Sequence, residues 1–444
     1  MIGLEPRIVC VRTLIRAAEA KSYGNLALHT ALAKSNLTPQ DKRICTVLFQ
    51  GTTERLITLD ACIRQYAKRD PEQIDLPVRC ILRCGIYELL YLHTQEAAVV
   101  NLWTESAKVL RKPKAVGFIN GVLRGFLRAE KEIPTPKDEI AALSVAYSVP
   151  EPLVRQLLAD YDKQTVTDFL AQSLGEPPIY LKRNPLACDE NDFLTAFAED
   201  TLTPISAVPQ AYQLARGGNL SEHEAFQKGM FHVQDLASQL CCLALDAKQG
   251  DTVLDVCAAP GGKTFTIAEW MGDSGKILAY DLHPNRVKLI ADGAKRLGLN
   301  CITAAVGDAA NPSPDRPMAD RVLCDVPCSG FGVIRRKPEV RYKSLADTAA
   351  LPAIQLRILE ASANAVKAGG VLVYSTCTVA KAENEQVVLK FLETHPDFSL
   401  EKPWQDIETL APYGQEMTTL FPQMLGSDGF FLAKLRRAGG VENA

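Results

Sequence analysis

No apolar run in the 444-residue sequence approaches the length of a membrane span. The first stretch, MIGLEPRIVCVRTLIRAAEA, has charges at positions 5, 7, 12 and 16 and lacks the unbroken apolar segment and small-residue cleavage site of a secretory leader. A soluble, cytoplasmic chain is expected. The thirteen cysteines include no C-x-x-C pair, and the six histidines form no metal-spaced cluster. Cys80 with Cys84, and the neighbours Cys241 and Cys242, come nearest to a ligand pair. Cysteines spread in this way are usually small buried hydrophobes in a reducing compartment, so no metal is expected. No internal repeat or low-complexity tract occurs. Neither G-x-G-x-x-G nor a complete phosphate-binding loop is present. Gly261-Gly262-Lys263-Thr264 looks like the tail of such a loop, but the earlier glycine is missing, which argues against a nucleotide triphosphatase.

Hydrophobic residues make up 47% and charged residues 23%, ordinary values for a protein with sizeable cores, and the length suggests about three domains. The net charge of −3 conceals an asymmetry: residues 1–130 hold 19 Lys and Arg against 12 Asp and Glu, and the rest of the chain is acidic. A basic module beside an acidic one points to an anionic partner for the first. Residues 1–130 read as an all-helical bundle. Ile8, Val11, Leu14, Ile15 and Ala18 recur at helical spacing, as do Ile81, Leu82, Ile86, Leu89 and Leu90. Thr38 and Pro39 are placed to start a helix as N-cap and first-turn residue. Residues 131–139, rich in proline and charge, read as a linker. Residues 140–235 read as a small α+β connecting domain, with a strand in PPIYLKRNPL and a loop-rich stretch at AVPQAYQLARGGNLSE. Residues 236–438 alternate short β-rich runs (TVLDV, KILAYDL, ITAAV, RVLCDV, GVLVYST, GFFLAKL) with helical stretches, the pattern of a doubly wound, mainly parallel sheet.

In such sheets ligands bind beyond the carboxyl ends of the strands. The first strand is followed by Cys257, Ala258, Ala259, Pro260, Gly261, Gly262 and Lys263, whose small residues let a ligand approach the backbone ahead of a helix N-terminus. Asp281 ends the second strand, where a ribose diol is usually gripped. Asp308 follows the third, on the adenine side of such a pocket. Asp325 and Cys328 follow the fourth, and Cys377 the fifth. The combination suits methylation of cytosine: a thiolate adds to C6, C5 takes a methyl group from S-adenosylmethionine, and loss of the C5 proton expels the thiolate. Asp325, protonated or sharing a proton, is placed to hold the base at N3. Spacing leaves Cys328 and Cys377 equal candidates for the nucleophile.

DVCAAPGGKT, DVPCSGFGV and YSTCTVAKAENE together resemble the RNA cytosine-C5 methyltransferase superfamily that includes the bacterial Fmu and Sun proteins. The blocks LRCGIYELLYL, AAVVNLWTESAKVL and AVGFINGVLRGF are similar to NusB, an RNA-binding helical fold. The pairing is characteristic of the ribosomal small-subunit RNA methyltransferase B branch. The resemblance implies an all-α NusB-like RNA-binding domain, a small α+β connecting domain and a C-terminal α/β Rossmann-like class I S-adenosylmethionine-dependent methyltransferase. It implies Cys377 as nucleophile and Cys328 as the group that helps break the enzyme–RNA adduct. It places cofactor contacts at Cys257 to Lys263, Asp281, Asp308 and Asp325, with 16S ribosomal RNA as substrate. YLKRNPL also looks like a family segment, which makes Lys182 and Asn184 candidate RNA contacts.

A target base must leave its stack to be reached, so a single-stranded or loop cytosine is expected. The loop GVIRRKPEVRYK offers Arg335, Arg336, Lys337, Arg341 and Lys343 just past Cys328 as candidate phosphate contacts. A monomer is expected. Methylation of transfer RNA by the same chemistry, and a non-catalytic RNA-binding assembly factor, are the alternatives. Failure to bind S-adenosylmethionine would favour the second.

Overall fold

The computed structural model describes residues 3–20, 24–197, 202–215 and 218–439. They form two compact units, Met1–Gly175 with Lys337–Lys343, and Glu176–Arg336 with Ser344–Ala444.

The first unit is helical. Seven helices span Leu4–Ala20, Gly24–Ala33, Pro39–Glu54, Leu56–Ala67, Leu76–Tyr91, Glu96–Val109 and Val116–Arg128. Thr38 caps the third as its spacing predicts, its hydroxyl accepting the Asp41 N–H at 3.2 Å. The periodic faces turn inward. Ile8, Val11, Leu14, Ile81, Leu82, Ile86 and Leu89 are buried, Ile15 and Leu90 lie at the edge, and Ala18 is exposed. Inside this core Glu88 is buried, paired with Arg7 and accepting the Trp103 indole N–H at 2.9 Å. Arg83 makes a two-pronged bond to Asp60, 2.7 Å on each arm. Arg7 and Arg83 are therefore structural, each matched by an acid of the same unit.

Three further helices, Glu139–Tyr147, Glu151–Asp160 and Lys163–Gln172, belong to this unit. The connecting module expected at 140–235 is thus divided, its first three helices in the first unit and its sheet, with helices Glu190–Ala196 and Glu224–Gln227, in the second. The reason is local satisfaction of polar groups. The Ile57 N–H donates to Ser148 Oγ at 2.9 Å, and the buried Thr58 hydroxyl donates to the Val145 carbonyl at 2.5 Å. Residues 337–343 complete the unit. Tyr342 Oη donates to the Glu54 carbonyl at 2.9 Å and accepts the Leu56 N–H at 3.1 Å.

The second unit contains two sheets. The smaller has strands β1 (Ile179–Arg183), β2 (Leu202–Pro204), β3 (Ala211–Leu214) and β4 (Phe231–Val233), antiparallel in the order β2-β3-β1-β4. β3 lies within the stretch expected to be loop. The larger comprises β5 (Thr252–Asp255), β6 (Lys276–Asp281), β7 (Ile302–Val306), β8 (Ala319–Asp325), β9 (Val366–Thr376), β10 (Phe398–Glu401), β11 (Met417–Leu420) and β12 (Phe430–Arg437). Its order is β10-β12-β9-β8-β5-β6-β7, with β11 paired to β12. β5 to β9 are parallel; β10, β11 and β12 pair antiparallel at one side. Every β-rich run expected in 236–438 is a strand. β10 and β11 are additions, and both pair antiparallel with β12. The winding reverses between β5 and β8, which puts a ligand crevice at their carboxyl ends. Among the described residues no helix is long and apolar enough to cross a membrane.

Candidate active site

Residues after β5 turn sharply into the helix Gly262–Trp270. The Gly261 N–H donates to the Ala258 carbonyl at 2.8 Å. Gly261 has φ 112°, and a Cβ there would lie 2.3 Å from the Phe265 ring, so both backbone and space require glycine. Burial pushes the Cys257 thiol well up, so it stays protonated and is no nucleophile. Asp281 is buried at the end of β6, accepting the His283 N–H at 3.1 Å and facing Arg286 at 3.3 Å. Arg286 also donates to the Ala259 carbonyl at 2.7 Å, tying the first strand-end loop to the second. Asp308 is held below the usual carboxyl range by its bonds from Asn311 and the Ala310 N–H. This crevice fits an adenosyl amino acid. It offers small-residue backbone, a helix N-terminus suited to a carboxylate, and an acid placed for a diol.

The reactive centre lies at the ends of β8 and β9. Asp325 ends β8. It accepts the Ser375 hydroxyl at 2.9 Å and pairs with Lys263 Nζ at 2.8 Å. Burial alone would pull the Lys263 ammonium down, but the charge of Asp325 outweighs it and the net shift is upward. Cys328 Sγ lies 3.2 Å from Cys377 Sγ, both half-buried. The hydrogen bond to Cys377, then burial, raise the Cys328 thiol well above its ordinary range. The Cys377 carbonyl accepts the Gly332 N–H at 3.0 Å, and the Gly332 carbonyl accepts the Gly429 N–H at 2.9 Å. A Cβ on Gly332 would lie 1.9 Å from the Gly429 carbonyl oxygen, so only glycine lets these three backbones meet.

The candidate RNA contacts fare differently. Lys182 is fully buried and bonded to Glu269 at 3.1 Å. Asn184 is fully buried, donating to the Gly229 and Leu297 carbonyls at 3.1 and 2.9 Å. Arg341 is fully buried, donating to the Tyr147 and Ser173 carbonyls at 3.1 and 2.8 Å. Arg336 is half-buried between Asp235 and Asp428 and also donates to the Pro178 carbonyl at 3.0 Å. These four are corrected to structural roles, because burial and internal partners use the donors a phosphate would need. Arg335 donates to the Glu176 carbonyl at 2.6 Å. Lys337 and Lys343 are exposed.

Asp255 was not singled out from the sequence, although it ends the first strand. It is buried and accepts the Thr264 hydroxyl at 2.6 Å, and burial drives its carboxyl up to about 7. Between the unfolded carboxyl's pKa of about 4 and this folded value, the unfolded chain releases a proton that the folded chain keeps. This group's contribution to stability should therefore fall as pH rises from about 4 to about 7, then level off. Denaturant midpoints at pH 5 and pH 8 test this: Asp255→Asn, which can still accept from Thr264, should lose less stability between them than the parent. Equal losses would remove the assignment.

Comparison with known proteins gives the following. Residues 242–436 match the family described as 16S rRNA methyltransferase RsmB/F, and residues 4–128 match the NusB family. The chain is 35% identical to the probable ribosomal RNA small subunit methyltransferase B of Bacillus subtilis, covering 98% of this chain and 99% of that one. It is 36% identical to the protein of the same description from Synechocystis, covering 94% and 96%. Among solved structures, one described as PH0851 superposes with a TM-score of 0.80 at 26% identity over 98% of both chains. NSun6 from Pyrococcus horikoshii with SFG shares the fold at a TM-score of 0.57 and 22% identity, over 64% of this chain and 97% of that one.

Proposed function

This chain belongs to the 16S rRNA methyltransferase RsmB/F family, and on that premise we propose that it methylates C5 of a cytosine in 16S ribosomal RNA through a covalent cysteine–C6 adduct. The observation that carries the reading is the pair of thiols at 3.2 Å on adjacent strand ends, beside Asp325. S-adenosylmethionine supplies the electrophilic methyl group. The loop Cys257 to Lys263 with Asp281 and Asp308 would hold it, and Asp325 would contact the target base.

The resemblance implies Cys377 as the attacking sulfur, and the upward push on the Cys328 thiol from its neighbour and from burial supports that role. Addition of Cys377 Sγ to C6 pushes an electron pair toward N3. The proton of the Lys263–Asp325 pair is shared with N3 through Asp325 as that charge grows. Saturated C6 makes C5 nucleophilic, and C5 takes the methyl group as its bond to the cofactor's sulfonium sulfur breaks, leaving the neutral thioether. Loss of the C5 proton then restores the double bond and breaks the C6–S bond, with Cys328 assisting this release. The NusB-like module, with its basic excess, docks a second segment of the RNA.

The test is transfer of labelled methyl from S-adenosylmethionine to unmodified small-subunit ribosomal RNA, followed by digestion to nucleosides. Label in 5-methylcytidine is expected. Label only when transfer RNA is offered would keep the chemistry and replace the substrate. No label in either RNA, despite cofactor binding, would sink the enzymatic reading.

A further inference from the structure

The two turns that carry the thiols are fastened to one dipeptide. Glu383 is buried, and its Oε2 accepts the Ser329 N–H at 2.9 Å and the Gln355 Nε2 at 2.8 Å. The same Gln355 nitrogen donates to the Pro327 carbonyl at 2.9 Å. Glu383 therefore grips both residues that flank Cys328, Ser329 directly and Pro327 through Gln355. The next residue, Asn384, does the same for the other cysteine. Its Oδ1 accepts the Thr376 hydroxyl at 2.6 Å, and its Nδ2 donates to the Thr378 carbonyl at 3.0 Å. Thr376 and Thr378 flank Cys377. The turns also meet directly, Ser329 Oγ lying 2.7 Å from Thr378 Oγ1.

The anchor itself is rigid. The Glu383 carbonyl accepts the Tyr374 hydroxyl from β9 at 2.6 Å. The Asn384 carbonyl accepts the Val387 and Val388 N–H groups at the start of helix Glu385–Thr394, at 3.1 and 3.2 Å. These polar atoms sit in a buried network in which each named donor and acceptor is paired, Gln355 Oε1 alone lacking a hydrogen bond, and such pairing favours one geometry. The anchor grips the residues on either side of each cysteine and so sets where the sulfurs are, while the Glu383 charge also adds to the upward push on the Cys328 thiol.

We propose that Glu383 and Asn384 are positioning residues, Glu383 for Cys328 and Asn384 for Cys377, which together set the separation of the two sulfurs. The inference rests on the reading above only for the step each cysteine performs. The pairing of anchor with cysteine stands on the geometry. A shift of about 1 Å at a reacting atom costs about 10²-fold in rate, so loss of either grip should appear in kcat.

The experiment compares Glu383→Ala, Glu383→Gln, Gln355→Ala and Asn384→Ala with Cys328→Ala and Cys377→Ala in the full chain. Each is scored for kcat and KM on small-subunit ribosomal RNA, cofactor affinity, and the protein–RNA adduct on a denaturing gel. Glu383→Ala and the milder Gln355→Ala should show the adduct phenotype of Cys328→Ala, and Asn384→Ala that of Cys377→Ala. kcat should fall about 10²-fold for the two anchor alanines, with KM and cofactor affinity little changed. Glu383→Gln should recover most of the loss, since one amide oxygen can accept from both Ser329 and Gln355. Identical adduct phenotypes for the Glu383 and Asn384 variants would overturn the proposal. So would a parallel loss of cofactor affinity and kcat. If the two cysteine variants exchange their expected phenotypes, the roles assigned above fail, while the proposal survives if each anchor variant still follows its own cysteine. If neither cysteine variant affects transfer, iodoacetamide labelling followed by mass spectrometry decides. Glu383→Ala must alter the labelling rate of Cys328 more than that of Cys377, and Asn384→Ala the reverse; equal changes would overturn it.

Discussion

Cys377→Ala is expected to abolish methyl transfer and to leave no protein–RNA band on a denaturing gel, whereas Cys328→Ala should accumulate that band. Removing a nucleophile that forms the intermediate costs on the order of 10⁴–10⁶ in rate. The sulfurs are 3.2 Å apart, so distance alone does not choose between them. The resemblance to the cytosine-C5 methyltransferases does, implying Cys377 as the nucleophile, and the environment of Cys328 is in keeping with it. Cys328 is pushed up by its hydrogen bond to Cys377, by burial, and by the nearby charges of Glu383 and Asp325. It stays a thiol at neutral pH, a poor nucleophile but a usable acid or hydrogen-bond donor. Losing it should leave attack and methyl transfer possible while release stalls. A single-turnover assay with labelled cofactor, run beside the gel, separates these steps. An adduct trapped by Cys377→Ala would make Cys328 the attacking sulfur and reverse the roles.

Lys182→Ala is expected to destabilise the protein by about 3–5 kcal/mol, the usual cost of removing one partner from a buried ion pair. Lys182 and Glu269 have side chains with no solvent exposure. The ring of His232 also faces Glu269, with Nδ1 at 3.3 Å. Burial lowers the Lys182 ammonium, and Glu269 opposes that shift. The pair joins β1 to the helix Gly262–Trp270, which starts at the cofactor loop. Without the ammonium, a carboxylate remains in an apolar setting. Replacing both partners, as in Lys182→Met with Glu269→Leu, removes the stranded charge and should restore most of the stability. Urea midpoints of the single and double variants provide the check. A single variant within error of the parent would mean that the pair holds little. The folded double variant also tests the correction made above: its RNA affinity should keep the parent's salt dependence, and a shallower slope would return Lys182 to phosphate contact.

The candidate site was legible in outline because it obeys a local rule. Strands read from their apolar runs end in polar residues, and in a parallel sheet those ends share one rim. Asp281, Asp325, Cys328 and Cys377 could be placed in this way before any contact was known. So could the Thr38 cap, which depends only on residues three apart. The basic residues could not. A charge in a sequence shows that a side chain needs a counter-charge or water, and not which of the two it finds. Arg336 is 101 residues from Asp235 and 92 from Asp428, and Lys182 is 87 from Glu269. The strand Ala211–Leu214 was hidden for a related reason, since its order comes from pairing with β1 on one side and β2 on the other.

Glu383 and Asn384 stood in plain view in YSTCTVAKAENE, a few residues past Cys377, and their closeness to that cysteine was the only signal available. That Glu383 serves the other cysteine, through Ser329 at a separation of 54 residues, has no trace in the order of the residues. Periodicity, capping and strand-end chemistry act over a few residues, so they settled the helical module, the parallel sheet and the rim of the crevice. The distance between the two sulfurs, the pairing of Lys263 with Asp325, and the internal partners of four candidate RNA contacts depend on chain segments far apart in sequence. Those features were decided only when packing brought the segments together, because burial and hydrogen-bond satisfaction are properties of the assembled core.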